Sequence, residues 1–237
     1  MNDLFSKVSS IECDSIETWQ DKIFLTFDID WAHDDVLSDT IDLVESYDVP
    51  VTWFVTHDTP VLNRLRDDPR FELGIHPNFN FLLQGSEVGG KNAEQVIETA
   101  LEIVPEASSV RCHSMAQSGV LLNQFKEYGL KYDCNHFIPW HSGIDLRPWK
   151  HWNGLIKVPH FWEDDVACIE EDDKPLVELG NLSGLKVFDF HPIHIFLNTE
   201  VLDRYEQTRP LHNNPKELIK YRYEKSGTRN RLLELLS

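Results

Sequence analysis

Short runs of β-branched and aromatic residues recur along this chain, and most of them end in a pair of polar, ligand-type residues. KIFLTFD leads to Asp28 and Asp30, FELGI to His76 and Asn78, and SVRC to Arg111 and His113. LKYDC brings Asp133 and Asn135, LIKV is followed by His160, and KVFDF by Asp189 and His191. Side chains alternate along a strand, so both members of an i, i+2 pair can point to one face. Helical stripes separate the runs, with apolar residues at 41, 43, 44 and 47, then at 93, 96, 97, 100 and 101. Strands alternating with helices imply parallel βα units. Polar residues collected at the C-terminal ends of such strands mark the mouth of an α/β barrel or the switch point of an open sheet. Seven candidate strands favour an incomplete or distorted barrel.

The strands are read at 22–29, 49–56, 71–75, 109–112, 130–134, 155–158 and 186–190. Helices are expected at 38–47, 57–68, 92–104 and 120–128, with closing helices at 214–223 and 228–236. Residues 79–90 read as a Gly/Ser/Asn-rich loop, and 163–174 as an acidic loop or edge segment. No repeat or linker interrupts the chain, so one domain over 1–237 is expected. Residues 1–21 form an N-terminal extension, and 200–237 hold the closing helices.

A net charge of −18 argues against a phosphate-backbone partner and against an anionic membrane surface. It leaves room for a neutral partner such as a carbohydrate. No run approaches the ~20 apolar residues of a membrane span. Cys13, Cys112, Cys134 and Cys168 form no CxxC, and the N-terminus has no apolar signal core. A cytoplasmic setting is expected.

Asp and His are preferred ligands of a catalytic zinc with an open position. A second carboxylate can then act as base, a separate His as acid, and an Arg can keep the base ionised. The chain offers Asp30, His76 and His113 for metal, Asp28 as base, His191 as acid and Arg111 as orienter. Taken singly, each has a structural explanation; six at successive strand ends are less easily assigned to chance. Trp31, Asn78 and Trp140 are candidate substrate contacts, since aromatic faces suit sugar stacking, although the aromatics could equally form a small core of their own. His33, His160 and His194 are spare candidates.

The order TFDID (26–30), Gly-Ile-His (74–76), Arg111, Asp133 and His191 resembles the motif order of the polysaccharide deacetylases of carbohydrate esterase family 4. The likeness spans roughly 22–195. It implies an α/β fold, a distorted (β/α)7 barrel, and a metal-dependent hydrolase that removes N- or O-acetyl groups from sugars. By this resemblance Asp28 is the base, Asp30 and His76 bind metal, Arg111 tethers the base, and Asp133 positions the catalytic His191. Two departures stand out. The family's second metal histidine, four residues after the first, is Asn80 here, and Arg-x-Pro-aromatic has become Arg-Cys-His-Ser. An amide oxygen is a poor substitute for imidazole on zinc, so His113 is expected to replace the missing ligand. The expected substrate is a sugar precursor in surface-polysaccharide synthesis. The alternatives are a non-catalytic carbohydrate-binding relative or another barrel metallohydrolase acting on non-peptide C–N bonds.

Overall fold

The computed structural model describes residues 3–237. Nine strands, β1 (Ile23–Asp28), β2 (Val51–Val55), β3 (Phe71–Ile75), β4 (Ser109–Val110), β5 (Tyr132–Asp133), β6 (Trp149–Lys150), β7 (Ile156–Lys157), β8 (Trp162–Glu163) and β9 (Lys186–Phe190), form one sheet. Its order is β6-β7-β5-β4-β3-β2-β1-β9-β8. All pairings are parallel except β6 with β7. β7 pairs with β5, and β8 pairs with β9 at the other edge, yet only four residues separate them in sequence. The segment 156–163 therefore joins the two sides of a curled sheet, and the fold is a distorted (β/α) barrel. The expected seven strand positions appear as β1, β2, β3, β4, β5, β7–β8 and β9, with β6 added where a loop was expected.

Among the described residues, seven α-helices lie between strands, α1 (Asp34–Glu45), α2 (Val61–Asp67), α3 (Asn80–Leu83), α4 (Ala93–Ile103), α5 (Gly119–Glu127), α6 (Asp164–Glu170) and α7 (Leu176–Gly180), and four follow the last strand, α8 (Pro192–Leu197), α9 (Leu202–Thr208), α10 (Pro215–Leu218) and α11 (Thr228–Leu236). Two differ usefully from expectation. α1 starts four residues earlier than the apolar stripe suggests, because His33 caps it by accepting from the Asp35 N–H at 3.1 Å. α6 occupies the segment read as an acidic loop. Its first residue, Asp164, is fully buried, so the segment's acidity conceals an inward-facing carboxylate.

Alternation divides the sheet's residues between two faces. Parallel register aligns Thr26 with Thr52 and with Asp189, and Ile75 with Val110 with Asp133 with Lys157. Thr26, Asp28, Glu72, Gly74 and Asp189 share the inner face, and Ile75, Val110, Asp133 and Lys157 lie on the outer one. Phe27, on the outer side, stacks on Trp53 at 4.4 Å and Phe190 at 5.8 Å. The N-terminal extension packs against the barrel. Phe5, Val8 and Ile11 are buried, the Val8 N–H donates to Thr52 Oγ1 at 3.1 Å, and Tyr132 Oη donates to the Ser9 carbonyl at 2.7 Å. These contacts seal the N-terminal ends of the strands and leave the opposite end as the mouth.

Gly74 sits where a side chain does not fit. A Cβ there would lie 2.5 Å from Ser109 Oγ and 2.8 Å from the Phe54 ring. Gly74→Val is expected to lower unfolding stability by about 1–3 kcal/mol through overpacking, measured by urea denaturation. An unchanged midpoint would show that the barrel interior can give way there.

Candidate active site

The site begins where β1 stops. Asp28 is the last strand residue, and the chain then turns through Asp30 and Trp31 at φ 36° and 53°. Left-handed backbone is unfavourable for non-glycine residues and tends to persist where function needs it. The Trp31 N–H donates to Thr56 Oγ1 at 3.0 Å and holds the turn. Strand alternation therefore reaches Asp28 but does not place Asp30; the turn does.

Asp30 Oδ1 lies 3.2 Å from His76 Nε2 and 3.3 Å from His113 Nδ1. One ligand atom from each of the three residues falls within 4.8 Å of the others. Asp30 Oδ1 is buried and makes no hydrogen bond of acceptable geometry. One carboxylate and two imidazoles converging on a common point are a fitting donor set for zinc with an open position. Burial alone would raise the Asp30 carboxyl. The facing His113 and His76, with the charge of His191, outweigh burial and hold it well below the usual range. His76 Nδ1 faces Asp28 Oδ2 at 3.4 Å, an arrangement that favours the tautomer with Nε2 free to ligate.

Arg111 comes off the end of β4 onto the inner face. Its Nη1 donates to Asp28 Oδ1 and to Thr26 Oγ1, each at 3.0 Å, and also to Asp189 Oδ1. His191, directly after β9, lies with Nε2 3.8 Å from Asp30 Oδ2. Its Nδ1 is 2.7 Å from Asp164 Oδ1, and its backbone N–H donates to Asp164 Oδ2 at 2.8 Å. Burial would lower the His191 imidazole, but Asp164 outweighs it and holds the ring well above its ordinary value.

The contact to His191 expected of Asp133 is made in the structure by Asp164. Asp133 faces the outer side of the sheet, opposite Arg111 and Asp189, and pairs with Lys157. Alternation by a single residue decides this. Asn80 is not among the converging donors; its side chain donates to Ser114 Oγ. Trp31 lies edge-on to His113 at 5.1 Å and lines a cavity of about 300 Å³ with Asp30, His113, Asp165, His191 and Tyr205. Asn78 and Trp140 are outside that lining. The Asn78 side chain instead accepts from the Asn80 N–H at 2.9 Å, and the Trp140 indole donates to Asp172 at 3.1 Å. His194 does line the cavity and meets Thr199 Oγ1 at 3.1 Å. His160 is buried against Phe137 and lies 3.2 Å from Glu163.

The family profile described as WbmS-like polysaccharide deacetylase matches residues 25–209, well over half the chain. The chain belongs to that family. A crystal structure from Bordetella bronchiseptica, provisionally named a polysaccharide deacetylase involved in O-antigen biosynthesis, is 46% identical. The match covers 99% of this chain and 97% of that one, at a TM-score of 0.95. A polysaccharide deacetylase structure from Mycobacterium smegmatis, also provisionally named, is 18% identical over 83% of each chain, at a TM-score of 0.46. A family 4 carbohydrate esterase from Streptomyces lividans, in complex with acetate, is 13% identical over 72% of this chain and 78% of that one, also at 0.46. Those two are too remote to bear on the site. No curated protein matches the chain. Among the described residues, no helix is long and apolar enough to cross a membrane.

In this WbmS-like chain the ion pair of His191 with Asp164 has a definite pH signature. Its stabilising contribution is complete below the ordinary histidine value of about 6.5 and fades as pH rises through the raised folded value. Asp164→Asn is expected to bring the His191 titration down by at least about one pH unit, followed by NMR of the imidazole nitrogens. A titration that stays in place would assign the raised value to another carboxylate.

Proposed function

We propose that this protein is a zinc-dependent deacetylase acting on an N-acetylated sugar residue of a surface polysaccharide or its precursor. The observation that carries the reading is the convergence of Asp30, His76 and His113, with Asp28 and His191 beside them, next to a cavity lined by Asp30, His113 and His191. Family membership supports the deacetylase chemistry, and the Bordetella relative's name supports the polysaccharide setting. O-acetyl sugars are a second substrate class open to the same chemistry.

Asp30, His76 and His113 would hold the ion, which when bound supplies an acidified water and a Lewis-acidic contact for the acetyl carbonyl. Asp28, held by Arg111, takes a proton from the attacking water. His191, held through Nδ1 by Asp164, presents Nε2 to the departing nitrogen and protonates it. Trp31 offers an aromatic face to the sugar ring. A cavity of about 300 Å³ suits a single sugar residue with its acyl arm. The lining includes Asp165 and Glu206 but neither Lys nor Arg, which favours a neutral sugar over an anionic one. The reaction has no use for nucleic acid.

Acetate release from N-acetylated oligosaccharides, with zinc content measured in parallel, tests the assignment. Asp28→Asn is expected to lower kcat by about 10²–10⁴-fold at unchanged zinc stoichiometry under saturating metal. His76→Ala is expected to lose zinc and activity together. Full activity in either variant would refute the role given to that residue.

A further inference from the structure

His113 is the donor on the least regular part of the site. Ser114 and Met115, which follow it, have φ of 56° and 52°, a conformation unfavourable for both. A ligand carried on such a turn is fixed only when its surroundings over-determine it. Three contacts do so. The His113 N–H donates to the Pro77 carbonyl at 3.0 Å. Asn80 Nδ2 donates to Ser114 Oγ at 3.0 Å. The Cys112 N–H donates to Asn135 Oδ1 at 2.6 Å.

Asn135 is itself immobilised from behind. Its backbone N–H and its Nδ2 donate to Asp133 Oδ1 at 2.9 and 2.8 Å. The other Asp133 oxygen takes Lys157 Nζ, which also donates to Gln117 Oε1 at 2.7 Å. Asp133, Asn135 and Lys157 are each 4% exposed or less. A buried ion pair is weak grounds for stability in itself, and this one lies on the outer face, away from the reacting groups. Its hydrogen bonds lead through Asn135 to the backbone next to His113.

We propose that Asn80 and Asn135, with the Asp133–Lys157 pair behind Asn135, are positioning residues that fix His113 as the third donor of the metal site. This rests on the zinc reading above. Asn80 stands where the wider deacetylase pattern has its second metal histidine. In this chain the position no longer ligates; it braces the turn that carries the substitute.

The test is zinc titration of the metal-free full-length protein against a chromophoric chelator. Wild type, Asn135→Ala, Asn80→Ala and His113→Ala are compared with the two double variants carrying His113→Ala. Removing a partner of a ligand typically weakens metal binding by about 10–100-fold, so each asparagine variant is expected to lose at least about tenfold. In the His113→Ala background the same substitutions are expected to change affinity by less than about twofold, because no ligand remains to be positioned. Unchanged affinity in both single variants would overturn the proposal. So would equal losses in both backgrounds, which would make the asparagines merely structural. A wild type that binds no zinc would fail the metal reading itself, a result distinct from either. Should Asn135→Ala not fold, Asn80→Ala, at a partly exposed position, carries the same cycle alone.

Discussion

Arg111 is the interaction on which the mouth of the barrel depends. Its guanidinium is buried and donates to Thr26, Asp28 and Asp189, with the Phe54 ring 4.5 Å away. Six carboxylates crowd this end of the barrel: Asp28, Asp30, Glu163, Asp164, Asp165 and Asp189. Unpaired buried charges of one sign are costly, and breaking such a pair costs more than making it gains. Two of the remaining carboxyls hold their protons more tightly than free ones. Burial, reinforced by Asp165 and Asp189, pushes the Glu163 carboxyl well up, and burial raises Asp189 against the pull of Arg111. Arg111 holds one oxygen of Asp28 while the other faces His76.

The two faces of the sheet divide the labour. The inner face carries the groups assigned to chemistry, and the outer face carries the lattice that holds their backbone in place. Arg111 and Cys112 are adjacent in sequence, yet the Arg111 side chain enters the carboxylate cluster while the Cys112 backbone is tied to Asn135. The same division explains why a mouth built from short strands, two residues each in β4 and β5, can hold side chains accurately. Some of the hydrogen bonds that fix it come from Asn135 and Asp133 behind the sheet.

Much of this was legible in the residues. Asp28, Asp30, His76, Arg111, His113 and His191 each follow an apolar run, and the structure brings them to one end of one barrel. Asp164 was not legible, because an acidic stretch reads as a solvated surface unless its burial is known. Nor was the position of Asp133, whose motif placement agreed with the resemblance while its face did not. The i, i+2 spacing of Asp189 and His191 was the available signal for Asp189, but the spacing carries no partner, and the Arg111 contact crosses the barrel. The packing role of the N-terminal extension was not legible either, because Phe5, Val8 and Ile11 plug an opening from short turns and loops.

By itself the sequence determined the βα alternation, the parallel sheet and the strand-end placement of the polar pairs. These rest on local periodicity and on residue types that report their own burial. Tertiary structure decided which pairs meet. A one-residue difference in register turned Asp133 outward to Lys157, and the start of α6 carried Asp164 inward to His191. The turn at Ser114 and Met115 set His113 against Asp30 and His76. Such outcomes depend on how distant segments align across a curled sheet, and no local pattern encodes that alignment.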